Sequence, residues 1–446
     1  MANDASSRKS VDGEPLEEAP RTKKAKAAKG PLKTFLVLLG PGLITGAADD
    51  DPSGIATYAN VGARFGYGPL WLSLLTFPLM TCVQYICSKI GLVTGRSLAG
   101  VLNEHYPKHL LWASIIILSI ANIANAGANI GAIASAVNLL VPQVQIIWMI
   151  VPVTLLLVTL IVVGGYKFVA QTFKWLSISL FAYLAAAFFC HPNLAEVARG
   201  TFVPQLNLSK DYIAAVVAIL GTTISPYLFF WQASSEVDEQ RDDGLDQVEQ
   251  REGASKDDLK YASWDVAAGM FCSNLVMYFI ILTTAATIHN GHGNHDIATA
   301  SQAAAALEPV AGPYAKLLFA LGLIGTGFLS TPILIATSAY AISEAMGWRH
   351  GLSEKWHEAK EFYVCMFVSC LLAMTVNFFK VSPMTILYWV AILNGVLAPP
   401  ILVLVMLISS NKKIMGERTN SRPLAVIGWL TTAIMTAAVV GLILTG

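Results

Sequence analysis

Charge is scarce in this sequence. Of 446 residues only 13% are Asp, Glu, Lys or Arg, and 29 basic residues offset 29 acidic ones. A zero balance gives no bulk attraction to nucleic acid, so no nucleic-acid partner is expected. Cysteine is scarce too. The six (Cys82, Cys87, Cys190, Cys272, Cys365 and Cys370) sit in or beside apolar runs, and none forms a CxxC pair. They read as small buried apolar residues, not as a thiolate metal clip. A cleavable signal peptide is missing as well. Residues 1–30 are polar and end in the basic tract "RTKKAKAAKG". They read as a disordered cytoplasmic tail ahead of one membrane domain over 31–446.

Apolar residues are what the chain has in abundance: 55% of the total, with a mean hydropathy of +0.58. Runs of about 20 such residues recur, each long enough to cross a ~30 Å hydrocarbon core. Eleven spans are expected, near 35–60, 68–94, 109–140, 146–165, 172–190, 211–234, 264–289, 313–345, 361–379, 384–410 and 423–445. All would contact lipid. Lys and Arg set the orientation. Lys89, Arg96, Lys108, Lys167, Lys174, Arg349, Lys355, Lys360, Lys412, Lys413, Arg418 and Arg422 fall in alternate connections; only Arg64, Arg199, Lys210 and Lys380 fall in the others. The expected N-terminus is therefore cytoplasmic and the C-terminus extracellular, in a multi-pass plasma-membrane protein. The charged stretch 235–263 reads as a solvated inner linker with some helix, and "HNGHGNHD" at 289–296 as a flexible outer loop.

Two spans carry breaks. The first contains "ADDDPSGIAT", 48–57, with three consecutive carboxylates. An ionised carboxylate facing lipid costs several kcal/mol, so these acids should face a cavity or a partner. Pro52 removes a backbone donor and disfavours helix at Asp51, and Gly54 loosens the chain further. Unwinding is expected over 49–54. The sixth span contains "ILGTTISPYLFFWQ", 219–232, broken around Pro226. Breaks five spans apart suggest two inverted five-span halves, about 35–190 and 211–410, with an extra span at 423–445. Discontinuous helices meeting at the midplane point to a secondary-transporter binding site.

"GPGLITGAADDDPSGIATYANVGARFGYGPLW", 40–71, resembles the signature first span of the Nramp family of divalent-metal transporters. "QYICSKIGLVTGRSLA" (84–99), "LFALGLIGTGFLSTPILIATSAYAISEAMGW" (318–348) and "NKKIMG" (411–416) extend the likeness over almost all the chain after residue 31. The resemblance implies an all-α LeuT-type fold. It also implies a metal site made by Asp and Asn of a DPGN motif, a backbone carbonyl, and the Met of a sixth-span MPH motif. Here DPGN reads Asp51-Pro52-Ser53-Gly54, and the Met and His positions hold Ser225 and Tyr227; a second family histidine falls at Gln232.

Loss of the thioether removes a soft ligand that favours transition metals. Loss of the asparagine deletes a ligand and is expected to enlarge the cavity. The expected site is all-oxygen: Asp51, Ser53, Gly54, the Ala48 carbonyl, Thr222, Thr223, Ser225 and, from the tenth span, Asn394. Such a site suits Mg²⁺, which keeps several waters and takes one or two carboxylates. The likeness is therefore to the Nramp-related magnesium transporters. Mg²⁺, and Mn²⁺ with it, is the expected cargo; no cofactor is expected, nor an enzyme activity. A monomer is plausible. The third span, "SIANIANAGANIGAIASAVNLL", has Ala126 and Asn129 where the family places acids. With no titrating relay, uptake is expected to be uncoupled from protons. Alternatives are a proton-coupled Mn²⁺/Fe²⁺ carrier, an aluminium carrier, a sodium-coupled amino-acid symporter and, from another class, an intramembrane aspartyl protease. The last needs two carboxylates from different spans.

Overall fold

The computed structural model describes residues 40–164, 182–290, 297–352, 354–379 and 381–445. The expected tail 1–30, the start of the first span, 172–181 of the fifth, the stretch 291–296, and Lys167, Lys174 and Lys380 lie outside them. Among the described residues eight helices are long and apolar enough to cross a membrane, and a shorter apolar helix covers Ile146–Val162. These nine match expected spans two to four and six to eleven.

The first span is two half-helices, α1 (Pro41–Asp49) and α2 (Pro52–Phe65). Then come α3 (Trp71–Thr94), a short α4 (Leu98–His105), α5 (Lys108–Leu140), α6 (Ile146–Thr159) and α7 (Ala182–Phe189). The sixth span is again split, into α8 (Lys210–Thr223) and α9 (Pro226–Asp242). It is followed by α10 (Lys256–Thr284), α11 (Ala315–Met346), α12 (Lys360–Thr375), α13 (Pro383–Ser410) and α14 (Arg422–Thr445).

The split helices sit at the centre. α1 packs on α10, α8 on α13, and α5 on α11. Between helices in lipid the hydrophobic effect contributes little, so small residues that let backbones approach do the work. A Cβ on Gly46 would lie 2.3 Å from the Gly269 carbonyl oxygen, and one on Gly221 would lie 2.1 Å from that of Ala391. Neither contact could accept any other residue. α1 is also held at its start. Gly40 offers no capping side chain, so Asp265 of α10 caps the helix from outside, accepting from the amides of Gly40 (2.8 Å), Gly42 (2.8 Å) and Leu43 (3.1 Å).

One expectation is corrected. The charged stretch 235–263 has the helix expected of it but is less solvated: α9 continues to Asp242 and α10 begins at Lys256, leaving 243–255. That connection is packed onto the bundle. Arg251 is 2% exposed and donates to the carbonyls of Gly95, Leu245 and Asp246, while the Gly253 amide donates to Val93. One guanidinium thus templates three carbonyls, which folds the loop inward.

Candidate functional site

Both breaks are short. In the first span only Asp50 and Asp51 leave helical geometry, because Asp51 and Pro52 together make a strong helix start. Ser53 and Gly54, expected in the unwound part, form the first turn of α2. In the sixth span only Ile224 and Ser225 are non-helical. The negative dipole ends of α1 and α8 thereby meet the positive ends of α2 and α9 in the bundle interior.

The three carboxylates are all buried: Asp49 is 0% exposed, Asp50 7% and Asp51 1%. They do not converge. Asp51 Oδ1 accepts from the Ser53 hydroxyl (2.6 Å) and the Gly54 amide (2.9 Å), and its Oδ2 accepts from Asn125 Nδ2 of α5 (3.0 Å). Asp49 and Asp50 turn the other way and share the Ser273 hydroxyl of α10, at 2.5 and 3.2 Å. Asp49 Oδ1 has no partner. No described Lys, Arg or His pairs with any of the three. Nor do three or more Asp, Glu, His or Cys side chains come together anywhere among the described residues in an arrangement that could hold a metal.

Of the remaining predicted residues, Thr222 lies close to Gly54. The Ala48 carbonyl, at the end of α1, accepts from the Tyr227 hydroxyl at 2.9 Å. Thr222 Oγ1 lies 3.1 Å from where a Gly54 Cβ would stand, and Tyr58 Cε2 lies 3.3 Å from it. This corrects the expected enlargement of the cavity: the space freed at position 54 is taken by Thr222 and Tyr58. Thr223 donates back to Ile219 (2.8 Å), and Ser225 donates back to Gly221 (2.7 Å) and Thr222 (2.9 Å). Their hydroxyl protons are thus spent on the end of α8, and their lone pairs stay free. Asn394 of α13 is 1% exposed, and its Nδ2 has no partner.

Several functional neighbours were not foreseen. Asn125 is the third-span residue bonded to Asp51. It lies on one face of α5 with Asn122, bonded to Leu334 and Ser338, and Asn129, bonded to Ser330. The i, i+3, i+7 spacing of these asparagines was a readable signal. Ser273 gave none. Gln232 links the two broken helices: it accepts from Thr45 of α1 (2.6 Å) and donates to Glu236 (3.0 Å), which also accepts from Ser88 (2.7 Å). Asp265 caps α1, about 9 Å along the helix from Asp49 at 1.5 Å per residue. The carboxylate pair an aspartyl protease needs is not formed there.

The chain matches the family described as natural resistance-associated macrophage protein-like (Nramp) over residues 42–445. The divalent metal cation transporter MntH of Klebsiella pneumoniae strain 342 is 28% identical over 412 residues, covering 90% of this chain and 92% of that protein. Among solved structures, a mutant of the manganese transporter of Eremococcus coleocola superposes with a TM-score of 0.70 at 19% identity, covering 91% of this chain and 86% of its own. Mhp1, a nucleobase-cation-symport-1 family transporter, in a closed conformation, gives 0.57 at 15% identity, covering 91% and 90%. At such identities these two likenesses speak for the shared fold of inverted repeats alone. The family match spans all but the first 41 residues and the last one: the chain belongs to the Nramp family.

Proposed function

We propose that this protein, a divalent metal cation transporter of the Nramp family, carries Mg²⁺ into the cell down its electrochemical gradient without moving protons. The observation that carries the reading is the charge balance of the site. Three buried carboxylates without a basic partner are costly unless a cation visits them. Everything offered to that cation is oxygen: Asp51, the Ala48 carbonyl, and the hydroxyls of Ser53, Thr222, Thr223 and Ser225, with Asn394 on the facing helix. The Gly54 amide holds Asp51 in place and supplies no ligand of its own. Oxygen donors favour Mg²⁺ and Mn²⁺ over softer metals. With Asp51 as the first ligand the ion can keep part of its water shell, which suits Mg²⁺, since it dehydrates reluctantly.

The absence of proton coupling rests on α5 and α9. Asn122, Asn125 and Asn129 present amides, and positions 227 and 232 hold tyrosine and glutamine. None of these titrates in the working range. The reading places the N-terminus in the cytoplasm and the protein in the plasma membrane, on the lysine and arginine bias of the loops. A direct test is uptake into proteoliposomes with an Mg²⁺-sensitive dye. Asp51→Ala should remove the signal while the protein stays folded; wild-type uptake by that variant would overturn the assignment.

A further inference from the structure

The connections 95–97, 243–255 and 347–350 gather at one end of the bundle, where α9 ends. There they enclose a cavity of about 460 Å³ between α4, α9 and the end of α11. That volume is within the range of small-molecule sites. Four permanent cations line it, Arg96, Lys108, Arg241 and Arg251, against two carboxylates, Glu104 and Glu344. Both carboxylates are already engaged, which leaves the cations in excess by two. Glu344 accepts from the Ser97 hydroxyl, from the Gly100 amide (3.1 Å) and from His350 (3.5 Å), and Glu104 pairs with Arg96 at 2.8 Å. Arg241 pairs with Asp238 at 3.3 Å, behind the wall.

Arg251 differs from the other cations. Every hydrogen bond it makes goes to a neutral carbonyl, through Nε and Nη1. Those three bonds take the Nε hydrogen and both Nη1 hydrogens and fix its plane, so Nη2 is the nitrogen left to face a ligand. Burial, followed by repulsion from Arg241, pushes its pKa down to about 10, against the pull of Asp238. Three guanidiniums around one cavity, one of them locked by backbone with Nη2 left over, offer charge-assisted donors to phosphate oxygens beside the bonds they already make. Trp348 adds an indole on the same wall, and no other described ring stacks on it.

We propose that this cavity binds a phosphate-bearing small anion, the phosphates on Arg96, Arg241 and Arg251 and a ring on Trp348, as a nucleoside polyphosphate would present them. Val237 and Arg241 belong to α9, the half-helix that starts at the sixth-span break, so a ligand held there would act on α9 as a regulator.

The test uses the full chain in nanodiscs of neutral lipid, in metal-free buffer with EDTA so that chelation of cargo plays no part. Calorimetric titration with ATP and with inorganic triphosphate is expected to give saturable binding of both. Arg96→Gln and Arg241→Gln should each weaken both at least tenfold, and Trp348→Ala should weaken ATP alone. Arg251→Gln is a poorer probe, because losing three carbonyl bonds can unfold the loop. If neither free anion binds but phosphatidylglycerol raises the unfolding midpoint, and both arginine substitutions abolish that rise, the phosphate chemistry stands with a lipid headgroup as its source. No saturable binding and no lipid response, or equal binding by the wild type and both arginine variants, would overturn the proposal.

Discussion

Asp51 serves two roles at the residue scale. As N-cap of α2 it satisfies the Gly54 amide, and in the function proposed above it is the first ligand for a cation. Asp51→Asn keeps an acceptor for the cap and loses the charge, so folding should survive and transport should fall with Asp51→Ala. A thermal unfolding curve beside the uptake assay separates the two effects. Ser225 decides metal preference in this account. Ser225→Met returns a soft ligand, and the Mn²⁺ or Cd²⁺ to Mg²⁺ uptake ratio should rise by about tenfold, equivalent to ~1.4 kcal/mol. An unchanged ratio would mean first-ligand chemistry does not set selectivity. Gly54→Asn is expected to be less benign, since its Cβ meets Thr222 Oγ1 at 3.1 Å and Tyr58 at 3.3 Å. The sequence singles out Asp51 and Gly54 through one contiguous motif and Ser225 through another. Ser273, which gathers Asp49 and Asp50, was not legible, because its partners lie 224 and 223 positions away along the chain and nothing local marks them.

At the scale of elements, α1 behaves as an appendage of α10. Glycine contact between Gly46 and Gly269 removes the space between them, and the Asp265 carboxylate holds the first turn. Asp265→Ala should leave three amides without their acceptor and cost about 3 kcal/mol, seen as a lowered unfolding midpoint. Asp265→Asn, which keeps one acceptor oxygen, should lose less. Equal midpoints for wild type and Asp265→Ala would show that α1 does not depend on this cap. The breaks themselves were visible from proline: Pro52 and Pro226 each stand at the first position of a new helix. Their lengths were overestimated, because an aspartate followed by proline restarts a helix at once. The packing of 243–255 was hidden as well. Its composition is that of a solvated linker, and only the tertiary neighbours Gly95 and Val93 turn Arg251 inward.

For the whole molecule, the central claim concerns energy. A divalent ion moving down an inside-negative potential gains about 4.6 kcal/mol per 100 mV, enough to support roughly a thousandfold gradient without protons. The family fold alone does not distinguish this from coupled transport. The distinction comes from the amide face of α5 and from Tyr227 and Gln232 on α9. Glu236, buried and held by Gln232 and Ser88, is the carboxylate on α9 best placed to contradict it. The decisive measurement is therefore a paired one: proteoliposomes carrying an Mg²⁺ dye, and a matched set carrying a pH dye, each polarised by a potassium gradient. Mg²⁺ influx that grows with the inside-negative potential and leaves internal pH unchanged is the predicted result. Mn²⁺ influx with internal acidification and no Mg²⁺ signal would contradict the account.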